Sequence, residues 1–153
     1  MKVKKILVSQ PKPLSENSPY FDIIEKFGVK IDFRPFIKVE PVPTKEFKEQ
    51  KVSILNYSAI VFTSRNGIDH FFRICGDLRI TVPEKTKYFC QSEQIALYLQ
   101  KFIHYRKRKV FFPETGKLPD LLNIVGKNPD ENFLVVLPEQ YNEDIVKQLD
   151  AKQ

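Results

Sequence analysis

The stretch Ile60–Phe72, IVFTSRNGIDHFF, changes its apolar period halfway along. Ile60, Val61 and Phe62 form a short continuous apolar run, as a buried strand does. Beyond Thr63-Ser64-Arg65-Asn66-Gly67 the apolar residues return as Ile68, Phe71, Phe72 and Cys75. That spacing is i, i+3, i+4, i+7, one face of a helix. The junction reads as a turn from a buried strand into an amphipathic helix. Ser64 or Asn66 is placed to accept a backbone N–H as the cap, and Gly67 to let the chain turn. A cap does not exclude a ligand. The free N–H groups of a helix start attract carboxylates and phosphates, and the hydroxyls of Thr63 and Ser64 add donors.

The same change of period recurs on both sides. KKILVSQP (4–11) reads as a strand closed by Pro11, and Ser18-Pro19 as a helix cap with proline in the first position. Tyr20, Ile23, Ile24 and Phe27 share one helical face, and Gly28 stops the helix. Val29, Ile31 and Phe33 alternate as a strand. Thr44 is placed to cap a helix running to about Leu55. KYFC (87–90) is a strand, followed by a helix on Ile95, Leu99 and Phe102. KVFFP (109–113) is a strand, followed by a helix on Leu118, Leu121, Leu122 and Val125 that Gly126 ends. NFLVVLP (132–138) is a strand, and Ile145, Val146 and Leu149 mark a last helix.

Six strand–helix alternations imply an α/β protein with a mostly parallel sheet. Ligands of such sheets bind at the carboxyl ends of the strands. The candidate rim loops are therefore SQPKP (9–13), TSRNG (63–67), CQSEQ (90–94), PETGK (113–117) and PEQYN (138–142). The Pro-rich EPVPT (40–44) reads as a linker. It separates a strand–helix–strand unit, residues 1–41, from an α/β lobe, residues 42–153, that lacks a closing strand. A faint repeat supports two lobes: FDIIEKFGVK (21–30) aligns with EDIVKQLDAK (143–152), matching Asp22 to Asp144, Ile23 to Ile145 and Lys30 to Lys152.

Composition narrows the class. No apolar run approaches the roughly 18 residues that span a bilayer, and the opening MKVKKI has too short an apolar run for a signal peptide. The two cysteines, Cys75 and Cys90, lie in apolar surroundings, so no disulfide framework is expected and a reducing cytoplasm is the default. A net charge of +6 favours an anionic partner. The basic run Tyr105–Lys109 reads as a solvated helix-to-strand loop rather than a nucleic-acid surface. His70 reads as an exposed helix position. No G-x-G-x-x-G follows a strand, and PETGKL is not a P-loop, because Phe111 stands where a glycine is needed and Leu118 where Ser or Thr is needed. His70 and His104 have no cysteine at zinc-ligand spacing, and Ser64 is not in G-x-S-x-G. No general acid–base pair stands out.

Taken in order, KILVSQPKP (5–13), FGVKIDFRPFIKVEPV (27–42), YSAIVFTSRNGIDHFF (57–72), YFCQSEQIALYL (88–99), FFPETGKLPDLL (111–122) and LVVLPEQYNEDIVKQL (134–149) resemble uroporphyrinogen-III synthase. The shared features are the opening strand, a strand ending in Pro-Phe-Ile, the FTS turn, a small-polar turn before a helix, and a glycine turn before a leucine-rich helix. The resemblance covers essentially the whole chain but only the first half, and a little more, of a complete family member.

The resemblance implies two α/β lobes on a two-stranded connection with the site between them. It implies cyclisation of hydroxymethylbilane, a linear tetrapyrrole with eight carboxylates, to uroporphyrinogen III. The last ring is inverted and water is lost through a spiro intermediate. It implies no cofactor and no metal. Ser64 matches the family serine that holds a substrate carboxylate, with Thr63 and Arg65 in the same turn. Gln94 stands where the family often has threonine, with Ser92 two residues earlier, and Thr115 and Gly116 match a further rim loop. The family's proposed proton-donating tyrosine matches no residue here. The chain is accordingly expected to be an inactive fragment, dimeric through open sheet edges where Ile6, Val8, Ile31 and Phe33 need a partner surface. It is expected to bind neither nucleic acid nor membrane. The alternative is a non-catalytic anion-binding α/β domain, with a nucleic-acid-binding module a weaker third.

Overall fold

The computed structural model describes residues 3–15, 17–141, 143, 146 and 147. The chain divides into two compact units, Met1–Glu40 and Pro41–Gln153. In the first, strand β1 (Lys5–Val8) and strand β2 (Lys30–Phe33) pair in parallel across helix α1 (Pro19–Phe27). Ile6, Val8, Ile31 and Phe33 share one face of this pair and are half-buried, and Tyr20 of α1 meets Phe33 edge-on at 5.4 Å. Helix α1 thus meets this face through Tyr20. Gly28 closes α1 in the left-handed conformation, φ 60°, donating its N–H to Ile24. Ser18 starts α1 with its backbone carbonyl, which takes the Phe21 N–H at 2.9 Å, and not with its hydroxyl.

The second unit holds helix α2 (Thr44–Glu49), strand β3 (Ala59–Phe62), helix α3 (Arg65–Asp77), strand β4 (Lys87–Cys90), helix α4 (Glu93–Tyr98), the two-residue strand β5 (Val110–Phe111), helix α5 (Leu118–Gly126) and strand β6 (Phe133–Val136). Its sheet is wholly parallel, in the order β5-β4-β3-β6. A parallel sheet needs cover on both faces, and its central strand then reads as a continuous apolar run. All four residues of β3 are at most 1% exposed. Ile60 and Phe62 pack with Ile68, Phe71 and Cys75 of α3 and with Ala96 of α4. Ala59 and Val61 pack the other way, against Leu121, Leu122 and Val125 of α5. The alternation of strand side chains thus assigns each helix to a face. Burying side chains of this size contributes about 1.5–3 kcal/mol each.

Local sequence misleads at three places. Thr44 does not cap α2 but is its first residue. Its hydroxyl donates to Asp77 and accepts from Arg73 of α3, so it is spent on a contact 33 residues away. Helix α2 stops at Glu49 rather than near Leu55, because Lys51 adopts φ 54° and only a short 3₁₀ turn follows at Ile54–Asn56. Helix α5 ends at Gly126 as expected, with Lys127 after it in right-handed backbone. His70 is half-buried, not exposed. The expected last helix and the second copy of the repeat lie largely outside the described residues.

The amino ends of β3, β4 and β6 are bracketed by polar side chains. The Ser58 hydroxyl donates to Glu131 and accepts the Asn132 N–H at 3.0 Å, while Lys87 Nζ lies 2.6 Å from the other Glu131 oxygen. The Lys87 ammonium, followed by the Ser58 hydroxyl, holds the Glu131 carboxyl below its ordinary 4.5. A carboxyl depressed by folding stabilises the fold above its unfolded value, and that stability is lost as pH falls through the lower folded value. Glu131→Gln is expected to cost about 1–2 kcal/mol at pH 7 by urea denaturation. The gap between variant and wild type should narrow below pH 4.5, where the wild-type carboxylate also loses its charge. Equal midpoints at pH 7 would show that the bracket adds nothing.

Candidate functional site

The strand order places the turns after β5, β4 and β3 side by side at the carboxyl edge of one sheet. Cross-links hold them together. The Gln91 N–H, just past β4, donates to the Phe62 carbonyl at the end of β3 over 2.9 Å. Gln91 Nε2 donates to the Gly116 carbonyl at 3.3 Å. Gly116 adopts φ 67°, the left-handed turn that favours glycine, while a Cβ there would meet Ser92 Cβ at an ordinary 3.6 Å.

At the β3 turn, Ser64 is extended and its Oγ accepts the Gly67 N–H at 3.0 Å, capping α3. The N–H groups of Arg65 and Asn66 come before any intrahelical acceptor. They and the Ser64 hydroxyl proton are the donors this turn can offer an anion. Thr63 is half-buried beside them. Gly67 does not have the turning role its sequence position implied, because it lies within the helix and its φ is not positive. It is small because a Cβ there would lie 3.3 Å from Ser64 Oγ and 3.5 Å from Val136 Cγ1. The tight contact is the one to the capping oxygen; the one to the end of β6 is an ordinary van der Waals distance.

The remaining candidates are less uniform. Ser92 caps α4 through its carbonyl, which takes the Ile95 and Ala96 N–H groups. Gln94 is exposed one residue inside α4, whereas Gln91 holds the turn contacts. The Thr115 hydroxyl donates to Asp120 and accepts the Lys117 N–H at 3.3 Å, so its proton is committed to the start of α5. Arg65 is exposed and lies over the Tyr98 ring, 5.5 Å from its centroid. The Tyr98 hydroxyl donates to Asp69 at 2.9 and 3.0 Å, and Lys101 sits 4.2 Å from the same ring. Sequence reading passed over Gln91, Tyr98, Asp69 and Lys101. A tyrosine on an apolar helical face is indistinguishable from core by period alone.

Other features lie away from this rim. A groove of about 400 Å³ runs by Tyr105, Val110, Phe111 and Ile124 at the edge strand β5. A concavity of about 600 Å³ in the first unit is lined by Lys12, Pro13, Leu14, Ser15 and Phe21. Burial pushes the Cys75 thiol up to about 11 and the Cys90 thiol to about 12, which leaves neither as a thiolate at neutral pH. Among the described residues no three His, Cys, Asp or Glu side chains are grouped to hold a metal ion.

The second unit is a parallel α/β sheet covered on both faces, with the starts of α3, α4 and α5 aligned along its carboxyl edge. The family model for uroporphyrinogen-III synthase HemD matches residues 18–153, and the chain belongs to that family. Its fold is likewise that of a solved crystal structure, a mutant uroporphyrinogen III synthase from the extremely thermophilic bacterium Thermus thermophilus. The TM-score is 0.69 at 13% identity over 98% of this chain. This chain spans 58% of that protein's length. The curated proteins give no match.

Gly67 offers a test of how tightly the turn is built. Helix propensity alone predicts that Gly67→Ala stabilises by about 1 kcal/mol. The 3.3 Å approach to the capping oxygen predicts the opposite. A lowered melting temperature is expected, equivalent to about 1 kcal/mol for a damaged cap. A raised one would show that the turn is loosely packed.

Proposed function

We propose that this chain forms the substrate-binding part of a uroporphyrinogen-III synthase. That enzyme closes hydroxymethylbilane to uroporphyrinogen III with inversion of the last ring and loss of water. The observation that carries the reading is the turn Thr63–Gly67, with its capped helix and outward N–H groups, in a chain of this family. A substrate rich in carboxylates suits such donors and the net charge of +6. Thr63, Ser64 and Arg65 take one carboxylate in this reading, and the turns at Ser92 and Thr115–Gly116 approach the neighbouring part of the ligand. Residues 1–41 and 42–153 contribute to two separate lobes of the enzyme. The two free, buried cysteines favour a reducing cytoplasm.

The chemistry asked of such a site is conformational. Folding the bilane so that its ends meet supplies much of the rate through proximity, and fixed dipoles stabilise charge as the terminal hydroxyl leaves. The residues present correspond to 58% of the solved relative's length, so we assign them binding and not the whole ring closure. Calorimetric titration with a bilane analogue is expected to show binding by the wild type and about fivefold or greater weakening in Ser64→Ala. Isomer analysis after incubation with hydroxymethylbilane is expected to show uroporphyrinogen I, the product of uncatalysed closure. Unchanged affinity in Ser64→Ala would reduce Ser64 to a helix cap. Formation of the III isomer would extend the assignment to catalysis.

A further inference from the structure

Beyond the backbone donors, the rim carries a side-chain cluster built on one aromatic ring. Tyr98 is the last residue of α4, and helical side chains lean toward the amino end of their helix. Its hydroxyl donates to both oxygens of Asp69, which lies one helical turn along α3 from Arg65. The anchored ring seats two cations, Arg65 at 5.5 Å and Lys101 at 4.2 Å from the centroid. Distances to a common centre keep these charges within about 10 Å of each other, close enough to repel. Neither enters an ion pair among the described residues, and Asp69, one turn along α3 from Arg65, accepts the phenol proton with its carboxylate. Arg73, lower on α3, is by contrast paired with Asp77 at 2.9 Å. The cluster therefore holds two neighbouring cations on one ring beside a single carboxylate, Asp69, which leaves it with a net positive charge.

We propose that Arg65 and Lys101 form a clamp for two carboxylates of one ligand, with Tyr98 as the positioning residue and Asp69 as its anchor. The proposal rests on the tetrapyrrole reading and extends it. The helix-start donors at Ser64 hold one carboxylate, and the clamp beside them takes a neighbouring pair. Arg65 supplies a planar fork for a bidentate contact, and Lys101 a compact charge. The ring holds both side chains in place before the ligand arrives, which lowers the ordering cost of binding.

The test is titration of the 153-residue chain with uroporphyrin III, an octacarboxylate, followed by fluorescence quenching at low and high salt. Lys101→Gln and Arg65→Gln should each weaken binding roughly five- to tenfold and flatten its salt dependence. Tyr98→Leu should weaken binding at least as much as either. Adding Arg65→Gln in that background should then cost little more, because the seat is already gone. Tyr98→Phe keeps the ring and loses the Asp69 anchor, and should give a smaller loss. It keeps the test decisive if the leucine variant fails to fold. A purely structural Tyr98 would lower the melting temperature without this coupling. Wild-type affinity in Lys101→Gln and Tyr98→Phe, alongside weakened Ser64→Ala, would overturn the clamp and leave the binding reading intact. Failure of the wild type to bind uroporphyrin III would overturn both.

Discussion

Burial of β3 on both faces is the constraint from which the rest of the larger unit follows. Side chains alternate along a strand, so a slip of one residue would send Ile60 and Phe62 toward α5 and Ala59 and Val61 toward α3. Each face is cut to fit: Phe62 meets Phe71 edge-on at 5.5 Å and stacks on Tyr88 at 6.4 Å, while Ala59 and Val61 leave room for Leu121 and Leu122. Polar contacts at the two ends reinforce that register. At the amino end Ser58, Lys87 and Glu131 tie three strands together. At the carboxyl end the Gln91 N–H reaches the Phe62 carbonyl. The position of Ser64, two residues past Phe62, is a consequence of this packing.

The same packing separates the stabilising end of the sheet from the end that offers donors. Charges at the amino end are neutralised against one another, as Lys87 is against Glu131. At the carboxyl end Arg65 and Lys101 rest on an aromatic ring instead of on acids. A cation held by a ring quadrupole keeps its charge available, whereas one in an ion pair does not. The difference separates Arg65 from Arg73, two turns along the same helix, whose guanidinium is spent on Asp77, Thr44 and the Val42 carbonyl.

Elements were legible in the sequence wherever the signal was a local period. The change at Thr63–Gly67 announced both β3 and α3, and the apolar face of Leu118, Leu121, Leu122 and Val125 announced α5. The order of rim turns then identified the family, which carried the fold. Contacts between distant residues were not legible. Thr44 resembled a cap because its partner, Asp77, is 33 positions away, and the bond of Ser58 to Glu131 spans 73 positions. Gly67 was correctly singled out for the wrong reason. A Cβ there would crowd the capping Ser64 hydroxyl at 3.3 Å, which the sequence pattern does not reveal. Tyr98 was hidden among apolar neighbours, and its bond to Asp69, 29 residues earlier, distinguishes it from core.

A site of this kind carries a general consequence for mutational analysis. Its donors are the ordinary unpaired N–H groups of a helix start, so the residue that shapes the site is also the residue that caps the helix. Ser64 cannot be removed without disturbing α3, and a lost activity there does not by itself identify a ligand contact. Arg65 and Lys101 lack that double role, because neither side chain caps a helix and both lie over the face of Tyr98. Loss of their charge leaves the cap bond from Gly67 to Ser64 in place. The side chains least tied to the fold are therefore those at which binding and stability separate most cleanly.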